Sequence, residues 1–190
     1  MNFLTGQKLV KQKEFGKALS LFLNLEKNKN QDNRIYFYLG MICFELNNFN
    51  KSIFYYNKFL KKEPNSISAL YNLATVRQII GEVDFAKNIY LRLINLDKNK
   101  IRPYYGLFTL NENYLTNKNF EDILKIKNEQ KISVYEEGII NFILSKKEKK
   151  NKKYKKEIEY LKSFHSLIFN SNYAYNMSSQ FYYNQIINQN

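Results

Sequence analysis

Few residues of this sequence combine the type and the spacing that catalysis needs. The chain has one cysteine and one histidine, Cys43 and His165, which could act as nucleophile and base only if the fold brought them together. Ser163 lies two residues before His165 on a predicted helix, and no acidic residue stands beside them to complete a triad. Because Cys43 occupies a position typical of a helix-packing core, we expect a buried structural thiol.

The acidic residues follow no catalytic or metal-binding pattern. Glu121 and Asp122 fall in the first turn of a predicted helix, where their charge suits the helix dipole. Glu136 and Glu137 are adjacent, so a helix would point them to different sides. The sequence contains neither a glycine-rich phosphate loop nor a metal-ligand spacing. We therefore expect a protein that is not an enzyme and uses no metal or cofactor.

The densest charge lies in a lysine run between residues 146 and 156. Its eight lysines and single glutamate give +7, more than half of the formal net charge of +13. Like charges at this density resist compaction, which favours a solvated loop or a frayed helix end between two helices. The run comprises Lys146, Lys147, Lys149, Lys150, Lys152, Lys153, Lys155 and Lys156.

The lysine run could instead bind an anionic ligand. The phosphates of nucleic acid, an anionic membrane surface and an acidic protein partner all fit dense positive charge. Base-specific recognition is disfavoured, because the run contains no arginine and only Tyr154 as a stacking residue. Lysine-only patches act mainly as unspecific charge, so the sequence leaves the choice among these ligands open.

The composition predicts one folded domain made of helices. Of 190 residues, 44% are hydrophobic, and only two prolines and six glycines interrupt the chain. Residues 1–10 lack the apolar core of a signal peptide, and no apolar run is long enough to span a bilayer. These features predict a soluble, cytoplasmic protein.

The sequence repeats itself with a period of 34 residues. The eighth and the twentieth positions of each repeat are mostly small and the positions around them large, so two helices can pack closely, large side chain against small. The aligned columns are Gly6, Gly40 and Ala74; Phe15, Phe49 and Val83; Ala18, Ser52 and Ala86; Phe22, Tyr56 and Tyr90; and Leu25, Phe59 and Leu93.

This size pattern resembles the tetratricopeptide repeat family, most closely in the second repeat, between Tyr36 and Pro64, and in the third, between Leu70 and Tyr90. The resemblance implies an all-α, right-handed superhelical solenoid of antiparallel helix pairs, with about three good repeats followed by degenerate helices. We divide the chain into repeats at 1–32, 33–66, 67–100 and 101–130, followed by a degenerate repeat and capping helices at 131–190.

Residues 131–190 are expected to form the atypical end of the array. Ser133 and Glu136 make a capping-box pattern that predicts a helix over about 134–145. The lysine-rich segment at 146–156 is predicted to be a loop.

Two further helices are predicted after the lysine run. The first shows apolar residues at helical spacing, namely Ile158, Leu161, Phe164 and Ile168. The second is expected near residues 173–187 and would close the array. The helices within 157–188 could alternatively pack on a second copy of the chain.

The resemblance also implies which residues line the concave inner surface. The fifth position of each repeat, an inner-face position in this family, is aromatic four times. The expected partner-binding residues are Phe3, Arg34, Phe37, Met41, Phe44, Tyr71, Thr75, Gln78, Arg102 and Tyr105. Aromatic residues and arginine dominate binding hot spots, which favours a groove for a protein partner. Alternatively, the aromatics only pack neighbouring first helices together.

One ligand type of the family is disfavoured. Repeats that hold the carboxylate tails of chaperones use lysine and asparagine at fixed inner positions. Those positions here carry Phe3, Gln7, Tyr38, Ser68 and Asn72, without a lysine. An apolar helix or an extended apolar segment is therefore the better-fitting ligand.

The sequence as a whole predicts a non-enzymatic adaptor or scaffold that binds a protein or peptide partner in an aromatic groove and helps to assemble a complex. One alternative is an electrostatic binder of nucleic acid or anionic membrane through residues 146–156. Another, which the family resemblance alone allows, is a chaperone or accessory factor of a secretion or motility machine.

Overall fold

A computed structural model of the chain describes residues 2–28 and 32–171, with side chains described up to residue 167. Within these ranges every regular element is a helix, which confirms the all-α prediction. The α-helices are α1 Phe3–Lys11, α2 Phe15–Lys27, α3 Arg34–Glu45, α4 Phe49–Lys62, α5 Ile67–Ile79, α6 Val83–Leu96, α7 Ile101–Leu110, α8 Asn117–Glu129, α9 Val134–Lys150 and α10 Tyr154–Ser171, and a 3-10 helix, Glu112–Tyr114, lies between α7 and α8.

The chain divides after Asp97 into two compact units. In the first unit each helix from α1 to α6 packs against the next along the chain, and α3 also contacts α5. In the second unit α9 contacts α7, α8 and α10. Because short turns join successive helices, each helix returns alongside its predecessor and both units are built from helix hairpins.

Small residues allow the helices of one hairpin to approach closely. The Ser52 hydroxyl on α4 donates a 2.7 Å hydrogen bond to the carbonyl oxygen of Gly40 on α3. A Cβ atom at Gly40 would lie 2.8 Å from Cδ1 of Tyr56, and one at Gly6 would lie 2.6 Å from Cζ of Phe22. Only hydrogen fits there, so the predicted packing of large against small is confirmed in both hairpins.

The 34-residue period extends to the backbone of the hairpin turns. Lys13, Asn47 and Gly81 lie 34 residues apart and have positive φ angles of 59°, 56° and 81°. In each turn the following amide donates to the carbonyl five residues earlier, which closes the first helix of the hairpin. These bonds are Glu14 to Leu9 at 2.9 Å, Asn48 to Cys43 at 2.7 Å and Glu82 to Arg77 at 2.9 Å. The repeated positive φ angle cannot be recognised from the sequence, because only one of the three residues is glycine.

The prediction of a loop over residues 146–156 is wrong, because most of the lysine run is helical. Helix α9 continues to Lys150, five residues beyond its predicted end, and α10 begins at Tyr154, so only the turn between them is non-helical. In that turn Lys152 has a φ of 57°, like the turns of the first unit. The favourable placement of lysines near a helix C-terminus, next to the negative end of the dipole, offsets part of their mutual repulsion. The helix predicted near residues 173–187 lies outside the described residues.

A polar network inside the second unit joins three helices. Asn141 of α9 is fully buried and donates a 2.9 Å hydrogen bond to the Ser163 hydroxyl of α10. Its amide oxygen accepts a 2.6 Å bond from the Lys127 ammonium group of α8. Burial lowers the pKa of Lys127. The buried amide of Asn141 therefore has a hydrogen-bond partner for both its nitrogen and its oxygen.

The capping box at Ser133 is confirmed and carries a testable prediction. The Glu136 amide donates to the Ser133 hydroxyl at 3.3 Å, and the Ser133 amide donates to the Glu136 carboxylate at 3.0 Å. We expect Ser133→Ala to lower the free energy of unfolding by about 1 kcal/mol in urea denaturation. Ser66→Ala is the matched control, since Ser66 is the N-cap of α5 without a side-chain capping bond, and should change stability by only a few tenths of that amount.

The effect of Ser133→Ala should depend on pH. The hydrogen bonds from Ser133 hold the pKa of Glu136 below its ordinary value of 4.5. A lowered folded-state pKa contributes stability above the unfolded-state pKa and loses it as the pH falls through the folded-state value. The larger cause is the bond from the Ser133 backbone amide, which Ser133→Ala retains. The variant loses only the hydroxyl bond, so the stability difference between wild type and variant should shrink in part as the pH falls below 4.5. A difference that stays constant down to full protonation would contradict this role of the carboxylate.

Candidate functional site

A groove lies between α3 and α5, the first helices of two adjoining hairpins. Its volume is about 190 Å³. We call it the α3–α5 groove, and its lining residues are Met41, Phe44, Glu45, Tyr56, Asn72 and Thr75. Three of the predicted partner-binding residues, Met41, Phe44 and Thr75, are among them.

Tyr56 of α4 forms the innermost part of the α3–α5 groove and is only 1% exposed. Its ring lies edge-to-face against Phe37, with 6.0 Å between centroids. Its hydroxyl oxygen accepts a 3.1 Å hydrogen bond from the Asn72 amide of α5. Burial raises the pKa of Tyr56, so the side chain remains a neutral phenol. The ring and its hydrogen bond therefore join α3, α4 and α5 at one rigid point.

The apolar wall of the groove comes from Met41 and Phe44. Both side chains are half-buried and pack against a core that includes Tyr56, Ala69 and Leu73. The part of each side chain that remains exposed is available to a ligand. Methionine adapts its shape to different apolar partners, and phenylalanine offers a rigid face.

Polar groups stand at the edge of the groove. The Thr75 hydroxyl donates a 3.0 Å hydrogen bond to the backbone carbonyl oxygen of Tyr71. Glu45 at the end of α3 is exposed and contributes a carboxylate. This arrangement suits an apolar group that enters the groove and a positively charged or hydrogen-bond-donating group at its edge.

The aromatic residues at the fifth repeat position pack against the second helix of their own hairpins, and Phe3 also packs against Tyr38 of α3, with 5.4 Å between the ring centroids. In the first unit each contacts the large aromatic residue that follows it by 19 positions. The ring centroids are 5.6 Å apart for Phe3 and Phe22, 6.0 Å for Phe37 and Tyr56, and 6.0 Å for Tyr71 and Tyr90. All three fifth-position side chains are half-buried, as is Tyr105 in the second unit. They support the first helices and do not line the α3–α5 groove.

The remaining predicted binding residues also lie outside the groove. The exposed Arg34 forms a 2.6 Å ion pair with Asp32, lowering the pKa of that carboxyl, and its guanidinium group stands 4.6 Å from the Phe3 ring centroid. Gln78 accepts a 2.9 Å hydrogen bond from the hydroxyl of Tyr90. Arg102 is exposed in the second unit.

Three of the six residues that line the groove were not predicted from the sequence. Tyr56 was assigned only to the hairpin core, and Asn72 was considered only as a position for clamping carboxylates. Glu45 was not considered, although it follows Phe44 directly and lies one helical turn after Met41. Extending the inner stripe of α3 by one residue would have found it.

The structure places Cys43 in a core and His165 at the surface. Cys43 is buried in the first unit, and burial raises the pKa of its thiol, which suppresses the reactive thiolate. His165 is exposed on α10 in the second unit, with its ring 5.2 Å from that of Phe164. Among residues 2–28 and 32–171, no three His, Cys, Asp or Glu side chains are arranged to hold a metal ion.

The hairpins and the groove between their first helices define a helical-repeat protein. Residues 34–66, which comprise α3, α4 and the following turn, match the family model of the tetratricopeptide repeat. The chain therefore carries a tetratricopeptide repeat at this position, and the resemblance inferred from the 34-residue period is confirmed. A search of curated proteins finds no significant match to the sequence.

Several solved structures have the same fold. A crystal structure of MamA is 18% identical, with a TM-score of 0.68, covering 90% of this chain and 97% of its own. MamA 41-end from Desulfovibrio magneticus RS-1 is 16% identical, with a TM-score of 0.66 and coverages of 88% and 93%. The C-terminal part of a TPR repeat-containing protein from Cytophaga hutchinsonii is 15% identical, with a TM-score of 0.69 and coverages of 87% and 64%. Identities this low establish the fold alone.

In the part of the chain that the structure describes, no helix combines the length and the apolar character needed to cross a bilayer.

Proposed function

We propose that this protein is a non-enzymatic adaptor that binds an apolar segment of a protein partner in the α3–α5 groove. Tetratricopeptide repeats generally serve as protein-interaction scaffolds, which supports the general class of function. The observation that carries the specific proposal is the half-buried pair Met41 and Phe44 beside the buried ring of Tyr56. These apolar side chains are held in place and remain partly exposed. Covering them with a partner would remove apolar surface from water and so stabilise the complex.

The partner segment should combine an apolar side chain with a basic one. The volume of about 190 Å³ suits a large apolar side chain rather than a whole helix face. Glu45 at the edge would attract a lysine or arginine beside that side chain. The Asn72 side-chain amide donates one hydrogen bond to the Tyr56 hydroxyl. Its carbonyl oxygen can accept a hydrogen bond from the partner backbone.

The proposal is tested by blocking the groove without removing its core. Thr75→Arg places a long side chain across the lining, and we expect it to weaken partner binding about tenfold or more, which corresponds to roughly 1.4 kcal/mol. Ser20→Arg is the matched control, because Ser20 is exposed on α2, makes the same kind of bond to its own helix and lies outside the groove. Circular dichroism verifies that both variants keep their helices.

The partner itself can be identified by photocrosslinking. A benzoylphenylalanine placed at position 45 should crosslink one discrete protein, and Thr75→Arg should abolish that product. The same group at position 20 should give no such product. If Thr75→Arg and Ser20→Arg retain the same partner with equal affinity while folded, the groove is not the binding site.

A further inference from the structure

A second cavity, of about 150 Å³, lies in the unit that begins after Asp97. We call it the lysine cavity. It is formed by α7, the 3-10 helix, the start of α8 and the end of α9, and its lining residues are Phe108, Glu112, Leu115, Asn117, Phe120, Lys146, Lys147, Lys150 and Asn151. Three members of the lysine run therefore line a defined concave surface, whereas Lys149, Lys155 and Lys156 are exposed outside it.

The ammonium groups at the lysine cavity are held in place. Lys147 Nζ lies 4.7 Å from the ring centroid of Phe120, and Lys146 Nζ lies 5.2 Å from that of Phe142. Lys150 Nζ donates a 2.7 Å hydrogen bond to the Asn113 side chain. Ring faces and amides fix a lysine without neutralising it.

Among the residues described, the lysine cavity contains one carboxylate, that of the exposed Glu112, which forms no ion pair with these three lysines. The ion pairs within the described residues involve other cations, so none of the three lysines is paired with a carboxylate there. Helix α8 begins at Asn117 and helix α9 ends at Lys150, and both residues line the cavity. The positive end of one helix dipole and the negative end of the other therefore oppose each other, and the positive potential comes from the lysine ammonium groups. An anion that enters meets charges that are already oriented, which lowers the entropy lost on binding.

The apolar lining selects among anions. Leu115 is already buried, whereas Phe108 and Phe120 are half-buried. An apolar side chain would cover the exposed parts of these two rings favourably, and a bare phosphate would leave them uncovered. A nucleic-acid base needs an open aromatic face for stacking, and Lys147 already occupies a face of Phe120. Glu112 in the lining repels a dense polyanion more than a single carboxylate.

We propose that the lysine cavity binds an acidic segment of a protein partner. One carboxylate of the segment lies among Lys146, Lys147 and Lys150, and a neighbouring apolar side chain covers the exposed part of Phe108. The site is separate from the inner-face positions at which related repeats clamp chaperone tails, and the inference does not rest on the α3–α5 groove.

Fluorescence anisotropy with a labelled peptide of alternating glutamate and leucine tests this site. We expect the combined variant Lys146→Gln, Lys147→Gln and Lys150→Gln to weaken binding about tenfold or more. The matched control, Lys149→Gln, Lys155→Gln and Lys156→Gln, removes the same charge from the same run outside the cavity and should weaken binding about twofold at most. A peptide with glycine in place of leucine should bind clearly more weakly than the probe.

Three results would overturn the proposal. The first is that the full chain does not bind the probe, or binds it equally well with glycine in place of leucine. The second is an equal loss in the two lysine variants, which would mean that net charge alone attracts the peptide. The third is tighter binding of a single-stranded oligonucleotide or of phosphatidylserine vesicles at matched ionic strength, which would assign the lysines to phosphates. The variant Thr75→Arg should bind the probe like wild type, so failure of this site and failure of the groove are distinguishable.

Discussion

Replacing Tyr56 by alanine should lower the free energy of unfolding by about 3–5 kcal/mol, the range for removing a large aromatic side chain from a packed core. Tyr56 is 1% exposed, and its ring packs against Gly40 and Phe37. Deleting the ring opens a cavity that the helices cannot close, because Gly40 has no side chain to fill it. Urea denaturation followed by circular dichroism measures the loss.

The control for this prediction is Tyr56→Phe. It keeps the ring and removes only the hydroxyl group that accepts the 3.1 Å hydrogen bond from Asn72. The expected loss is about 0.5–1.5 kcal/mol, because Asn72 is half-buried and its amide can turn towards water. If Tyr56→Phe destabilised the chain as much as Tyr56→Ala, the hydrogen bond and not the packing of the ring would join the three helices.

A leucine in place of Gly40 should destabilise the chain by about 3 kcal/mol, at the upper end of the usual range for overpacking a core. The first carbon alone would lie 2.8 Å from Cδ1 and 2.9 Å from Cε1 of Tyr56. The ring is only 1% exposed and packs against Phe37, which limits how far it can move away from position 40. The gain in helix propensity from replacing glycine offsets only about 1 kcal/mol of this cost.

Gly16→Leu provides the matched control. Gly16 lies in the first turn of α2, and a Cβ atom there would meet nothing within 4 Å. The same substitution should therefore be neutral or slightly stabilising, since only the propensity term applies. Thermal and urea unfolding of the two variants side by side should show a large loss of stability for Gly40→Leu and none for Gly16→Leu. Equal destabilisation by both would show that backbone flexibility, and not close packing, explains the glycine at position 40.

The contacts of the fifth-position aromatics change how the inner face should be interpreted. Phe37 and Tyr71 looked like binding anchors because they recur every 34 residues. The same recurrence follows from packing, since each ring meets the aromatic residue 19 positions later in its hairpin. Substituting Phe37 and Tyr71 would therefore damage the fold and any binding together. Thr75 and Glu45 are better positions for separating the two effects.

The sequence by itself determined the helix pairs and their internal packing. Helices, repeat length, the close approach at Gly6 and Gly40 and the capping box at Ser133 all follow from local spacing and side-chain size. These properties depend on residues less than one repeat apart, so a periodic pattern is enough to reveal them.

Only the tertiary structure decided which surfaces become concave and which charges become fixed. The α3–α5 groove combines residues of three helices, and Tyr56 and Glu45 enter it from positions that the repeat pattern assigns to the core or to no role. Likewise, the lysine run divides into cavity and exposed members because α9 extends to Lys150 and lies beside Phe120 and Asn113. A pattern along one chain fixes the face of a helix, but a site between helices depends on distances across the packed interface.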